Sequence, residues 1–194
     1  MNLQKQRKGV AVRLANPIID IIEKTGLKPD SLTIIGFILA LGGAVVLAYG
    51  NLLAAAVIIL IASVFDMLDG ALARRINKVT KRGGFLDSSL DRLSEGAILI
   101  GIIAYFYAQE MVWGVVITAI ALALSQVVSY LRAKAEVYGI DKVTGIFTRP
   151  ERIVVLVLGL LINQLFIAIL IIAIFSAVTT AQRMRLVLKE LDNR

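Results

Sequence analysis

The stretch "DMLDGALARRINKVTKRGGFLDSSLD", residues 66–91, puts four aspartates and five Lys/Arg between two of the most apolar parts of the chain. An isolated acid at the centre of a bilayer-spanning helix costs roughly 2.5–3.5 kcal/mol, and less near the membrane edge. What these aspartates do therefore depends on whether their flanks cross a membrane and on the depth at which the acids sit.

The flanks are greasy. Of 194 residues, 58% are hydrophobic and the mean hydropathy is +0.83, whereas a soluble domain is roughly 45–50% apolar. A spanning helix needs about 20 mostly apolar residues. Six segments approach that pattern, at about 31–49, 52–76, 84–108, 111–137, 150–162 and 165–188. The breaks "YGNL", "AQEM" and "INQL" between them hold no Lys or Arg. All 21 basic residues fall in or beside the N-terminal segment, the 74–83 turn, the 132–152 connection and the C-terminal tail. By the positive-inside rule, both termini and the acidic stretch face the cytoplasm and the chain crosses six times. Net charge of +7 distributed this way flanks membrane spans, and without interleaved aromatics it argues against a nucleic-acid partner.

Residues 9–25, "GVAVRLANPIIDIIEKT", mix Val and Ile with Arg13, Asp20, Glu23 and Lys24. This pattern predicts an amphipathic helix on the cytoplasmic membrane surface, broken at Pro17. There is no apolar core ahead of a small-residue cleavage site, so the segment does not read as a signal peptide. Asp30 or Ser31 is expected to cap the first span, and Gly26 and Gly139 to stop helices. The expected fold is an all-α integral membrane protein, with a cytoplasmic segment at 1–30 and a six-helix domain at 31–194.

Depth follows from helical rise. Asp66 and Asp69 lie roughly 21 and 25 Å beyond Leu52, and Asp91 and Asp87 roughly 25 and 31 Å back from Ala108. In a hydrocarbon core of about 30 Å the two pairs become level near one face. Asp66, Asp69, Gly70 and Ala73 share one helical stripe, as do Gly83, Asp87 and Asp91. Small residues beside them leave room for a ligand or a close backbone approach.

Four facing carboxylates repel one another, and divalent cations relieve that repulsion. Hard oxygen ligands suit Mg²⁺, Mn²⁺ or Ca²⁺, and four aspartates supply enough for two ions in a clamp for phosphoryl chemistry. Two other readings stand beside this one. Arg74, Arg75 and Arg92 are close enough in sequence to make an interfacial salt-bridge network. A transporter's ion pathway would also use acids and bases, but near the midplane rather than at one edge. With no cysteine or histidine in the chain, any catalysis has to run on carboxylates, Lys/Arg, hydroxyls and metals.

A second constellation follows the fourth apolar segment: Tyr130, Arg132, Lys134 and Glu136 in "SYLRAKAEVYG", then Arg149, Pro150, Glu151 and Arg152 in "TRPERIVV". Pro150 suits a first helical turn, and a helix start there aims its positive end at an anion. Arg149 and Arg152, with Arg132 or Lys134, have the makings of a phosphate pocket. Ordinary flanking charge is the plainer alternative.

The pattern D-x2-D-G-x2-A-R-x8-G-x3-D-x3-D, through Asp66, Asp69, Gly70, Ala73, Arg74, Gly83, Asp87 and Asp91, resembles the signature of the CDP-alcohol phosphotransferases. The resemblance implies attack by an alcohol on a CDP-linked alcohol, with release of CMP. It implies that Asp66, Asp69, Asp87 and Asp91 hold two Mg²⁺ or Mn²⁺ ions and that Asp91 is the general base. It further implies that Asp69, Gly70, Ala73, Arg74 and Gly83 cradle the CDP group, and that the protein is a homodimer. The stretches 130–136 and 148–152 are similar to the inositol 1-phosphate-using branch, with Thr148 in place of an acid. That similarity implies a CDP-lipid donor and an acceptor phosphate held by Arg132, Lys134, Arg149, Arg152 and Arg183 or Arg185. The same chemistry with glycerol 3-phosphate or another alcohol is the alternative within the family.

Overall fold

The computed structural model describes residues 19–20, 22–23, 26–140 and 143–193. The described chain is helical and contains no strand. Six helices follow one another: α1 Pro29–Ala48, α2 Leu52–Arg75, α3 Lys81–Ala108, α4 Val112–Val137, α5 Arg149–Leu161 and α6 Leu165–Asp192. The amphipathic helix expected over 9–25 falls almost wholly outside the described residues. Where the segment is described, Ile19 is buried against Leu32, Leu68 and Leu72, and Arg75 pairs with Asp20 at 2.5 Å and Glu23 at 3.2 Å.

The helices match the six apolar segments, but only four of them, α1, α2, α4 and α6, are long and apolar enough to cross a membrane by length and composition. The other two differ for separate reasons. Helix α3 carries its acids and bases between Lys81 and Glu95, in its N-terminal part. Helix α5 has 13 residues, about 20 Å at the helical rise and shorter than a hydrocarbon core. The chain is a multi-pass, all-α membrane protein.

Five of the six helices end on local geometry that the chain writes explicitly. Gly50, Asn77, Glu110, Gly139 and Asn163 take positive φ just past α1, α2, α3, α4 and α5. The residue after each donates its N–H back into the last turn, as Lys78 does to the Ala73 carbonyl at 2.9 Å and Gln164 to Gly159 at 2.7 Å. This closure satisfies carbonyls that a helix end leaves orphaned. Asn51 and Thr80 cap the starts of α2 and α3 by accepting from the N–H groups of Ala54 and Gly83. Neither Asp30 nor Ser31 caps α1. The helix opens at Pro29, whose fixed φ suits a first turn, and this leaves Asp30 within the helix.

Packing closes a ring. Helix α1 lies against α2 and α3, α3 against α4, α4 against α6, α6 against α5, and α5 returns to α2. The main core runs through all six, with Leu47, Ala55, Ala56, Ile102, Ala121, Leu160 and Ile169 essentially inaccessible. Small residues allow the backbones to approach. A Cβ at Gly101 of α3 would run into the Ala44 carbonyl of α1. The ring brings the C-terminal part of α2 and the N-terminal parts of α3 and α5 to one end of the bundle. The charged residues gather there.

Candidate active site

Carboxylate oxygens of Asp66, Asp69 and Asp87 lie within 4.8 Å of one another. The two stripes therefore meet across α2 and α3, at the level that helical rise predicts. Thr33 of α1 donates its hydroxyl to Asp69 Oδ2 at 2.5 Å, holding a carboxylate that is only 4% exposed. Asp91 is not one of this trio but adjoins it, next to Asp66 and Arg149. The Nη1 of Arg149 lies 2.5 Å from Asp66 Oδ2 and 2.6 Å from Asp91 Oδ1. Its cation comes from the start of α5, a distant part of the sequence. Arg75 pairs with Asp20 and Glu23 instead, and Arg92 reaches the backbone carbonyl of Ser88. The local salt-bridge network is thus not what holds these aspartates.

The donor set fits a hard divalent cation: three carboxylates from two rigid helices converge, with one pinned by a neighbour's hydroxyl. Among the described ion pairs, none involves Asp69 or Asp87, so two of the three carboxylates lack a salt-bridge partner, a deficit of the kind a bound cation relieves. A second ion would draw on Asp66 and Asp91, the pair that Arg149 bridges.

Two polar cavities adjoin this cluster and Asp87 lines both. One, of about 250 Å³, is walled by Asp30, Thr33, Asp69, Gly70, Ala73, Arg74, Thr80 and Gly83. The expected CDP-cradling residues all face this one space. A Cβ at Gly70 would come 3.3 Å from the Arg74 guanidinium, and one at Gly83 would come 3.1 Å from Thr80 Oγ1. These glycines keep the cavity floor low.

The second cavity, of about 540 Å³, is bounded by Asp66, Asp87, Asp91, Arg132, Arg149, Arg152 and Arg183. Arg183 donates to the Val128 carbonyl. Arg149 Nε, Arg152 Nη1 and Arg183 Nε are buried and have no hydrogen-bond partner in the chain. Buried donors are rarely left so, and three of them around one space suit an anion. Arg132 pairs with Glu136 at 3.1 Å on the cavity's outer wall. Lys134 does not line this cavity. Its ammonium lies 5.4 Å from the Tyr138 ring centre, because a residue two positions from Arg132 projects to another side of α4.

A third, apolar groove of about 530 Å³ runs between α2 and α5. It extends from Asp66 and Arg149 along Leu60, Val64, Met67, Ile153, Val157 and Leu161. Two contributors escaped the sequence reading. Thr33 carries no pattern that marks it. Glu95 does, because it continues the Asp87–Asp91 stripe by one further step of four residues, and it forms a two-pronged pair with Arg152.

A profile of the family described as CDP-alcohol phosphatidyltransferase matches residues 27–182. This chain belongs to that family. As a CDP-alcohol phosphatidyltransferase it is an enzyme. It is 38% identical over 189 residues to an archaetidylinositol phosphate synthase of Methanothermobacter thermautotrophicus, spanning 94% of this chain and 93% of that one. A phosphatidylinositol phosphate synthase of Mycobacterium marinum is 36% identical over 185 residues, spanning 89% of this chain and 78% of the other. Among solved structures, the Mycobacterium tuberculosis phosphatidylinositol phosphate synthase with CDP-DAG bound superposes with a TM-score of 0.81. It is 33% identical, with 90% of this chain and 94% of that one covered. The same enzyme in complex with manganese and citrate gives a TM-score of 0.80 at 34% identity, over 88% and 87% of the two chains.

Proposed function

We propose that this phosphatidyltransferase moves a phosphatidyl-type group from a CDP-linked lipid, CDP-diacylglycerol or CDP-archaeol, to a hydroxyl of myo-inositol 1-phosphate. The products are a lipid phosphoinositol phosphate and CMP. One observation carries the reading. The aspartate cluster stands at the junction of the cavity walled by the signature glycines and Arg74, the cavity ringed by arginines, and the apolar groove. A donor with a nucleotide head and lipid tails fits the first and third, and a phosphorylated alcohol fits the second. Relatives named for inositol phosphate lipids support the choice of acceptor.

Asp66, Asp69, Asp87 and Asp91 would hold two divalent ions, Mg²⁺ or Mn²⁺. When bound, these supply positive charge that stabilises the leaving CMP. Around them the chain does the rest. Gly70, Ala73 and Gly83 admit the cytidine diphosphate, and the planar fork of Arg74 meets phosphate oxygens. Arg132, Arg149, Arg152 and Arg183 take the acceptor phosphate, with Lys134 as an outer cation of the same basic end. Asp91 accepts the proton of the attacking hydroxyl.

All six helices are embedded in this reading. The short α5 and the charged part of α3 are shielded by their neighbours in the ring, and the segment ahead of α1, which packs on the bundle through Ile19, belongs to the cytoplasmic end. Both ends of the chain and the site face the cytoplasm, and the enzyme works as a homodimer. The deciding assay follows CMP release from CDP-diacylglycerol and from CDP-archaeol, against inositol 1-phosphate, free inositol and glycerol 3-phosphate. Release with inositol 1-phosphate alone is the expected result. Equal or faster release with glycerol 3-phosphate would refute the acceptor. Solute flux into sealed vesicles without CMP would refute the enzyme.

A further inference from the structure

Arg152 is one of the arginines that take the acceptor phosphate, and its partner Glu95 has no part of its own in the reaction. Arg152 is 3% and Glu95 12% exposed at the side chain. Arg152 Nε meets Glu95 Oε1 at 2.5 Å and Nη2 meets Oε2 at 2.9 Å. This planar, two-pronged grip fixes the guanidinium in rotation as well as position. It leaves one buried nitrogen, Nη1, without a partner, and both residues line the arginine-ringed cavity. A bare carboxylate on the wall of an anion site would repel its ligand. Glu95 avoids that by spending both oxygens on Arg152, so the pair is neutral overall and leaves one N–H of Arg152 uncommitted.

We infer that Glu95 is a positioning residue for the acceptor: it locks Arg152 so that Nη1 points at the acceptor's phosphate. The inference rests on the proposed function in taking that ligand to be a phosphorylated alcohol. Without Glu95, no ion pair fixes the Arg152 guanidinium, and Asp91 and Asp66, which line the same cavity, would compete with the phosphate for it. A purely structural pair would alter how much protein folds but not how the two substrates are distinguished.

The test compares wild-type enzyme with Glu95→Gln and Glu95→Asp in CMP-release kinetics. Glu95→Gln is expected to raise the KM for inositol 1-phosphate by about tenfold or more, with the KM for the CDP-lipid within about twofold of wild type. Glu95→Asp, which keeps the charge on a shorter reach, should fall between and serves alone if the Gln variant does not fold. Unchanged acceptor KM in the folded variants, or an equal rise for both substrates, overturns the inference.

Binding without turnover separates this failure from failure of the acceptor reading. Inositol 1-phosphate and inorganic phosphate are each tested for raising the unfolding temperature. Phosphate stabilising wild type but not Glu95→Gln supports the positioning role whatever the alcohol is. If inositol 1-phosphate neither stabilises wild type nor releases CMP while inorganic phosphate stabilises it, the acceptor reading fails alone and phosphate then decides on Glu95. Equal stabilisation of both proteins, or none of wild type by either ligand, overturns the positioning role.

Discussion

Among the aspartates, Asp69 and Asp91 are held in opposite ways, and the difference separates their roles. Asp69 is buried and receives a hydroxyl from Thr33 at 2.5 Å, which orients one of its oxygens. Asp91 has a cation for a neighbour, Arg149 at 2.6 Å, and it lines the arginine-ringed cavity proposed for the acceptor rather than the one walled by Gly70 and Gly83. A base belongs on the acceptor side, because it must reach the hydroxyl it deprotonates. Asp91→Asn keeps size and shape while removing the proton-accepting charge, so CMP release should fall by about 10²–10⁴-fold in protein that still elutes as folded. A rate within a few-fold of wild type would remove Asp91 from that role. Thr33→Val keeps the volume and deletes the hydroxyl. Groups that orient a ligating carboxylate typically change metal affinity by about 10–100-fold. The Mn²⁺ concentration giving half-maximal CMP release should therefore rise by about tenfold, with little change in the rate at saturating metal. An unchanged Mn²⁺ requirement would mean that Asp69 does not need Thr33.

Helix α5 is where local sequence and active-site geometry are most tightly joined. Thr148 and Glu151 form a reciprocal cap at its start, with the Thr148 N–H and hydroxyl both reaching Glu151 Oε2, at 2.9 and 2.5 Å. That cap sets the first turn, from which Arg149 turns towards Asp66 and Asp91 and Arg152 towards Glu95. Thr148→Ala should cost about 1 kcal/mol, a fall of about 2–4 °C in Tm. It should also raise the KM for the acceptor more than that for the CDP-lipid. A loss of stability with both KM values unchanged would confine the cap to folding. Much at this scale was legible beforehand. Helical rise put the Asp66–Asp69 and Asp87–Asp91 pairs level, the spacing put each pair on one stripe, and Pro150 marked the start of α5. What stayed hidden depends on how helices are rotated against one another. The Arg149–Asp66 and Arg152–Glu95 pairs join residues 83 and 57 positions apart. That Arg132 and Lys134 project to different sides of α4 follows from helical periodicity, but which of the two faces the cavity depends on how α4 seats against its neighbours. A one-dimensional charge count sees a cluster of cations and not their directions.

Across the whole molecule, charge is segregated as strictly as hydrophobicity. The loops after α1, α3 and α5 hold no Lys or Arg, and the basic residues of the described chain gather at the end that carries the site. A basic mouth raises the local concentration of anionic substrates, and both CDP-lipids and sugar phosphates are anionic. The same asymmetry predicts which way the ring stands in the membrane. The chain contains no cysteine, so single cysteines report sidedness without background. Gln109 lies in the exposed loop after α3, and Asn193 follows α6 at the opposite end of the bundle. In sealed vesicles with the cytoplasmic face inward, a membrane-impermeant maleimide should label a Gln109→Cys variant at once. It should label an Asn193→Cys variant only after the vesicles are opened by detergent. The reverse pattern would put the site on the outer face, away from a cytoplasmic supply of phosphorylated acceptor. Equal labelling of both in sealed vesicles would mean that the ring does not carry the chain across an odd number of times between those positions. Helices α4, α5 and α6 separate them, so that result would direct attention to α5, whose 13 residues are the shortest path across the bundle.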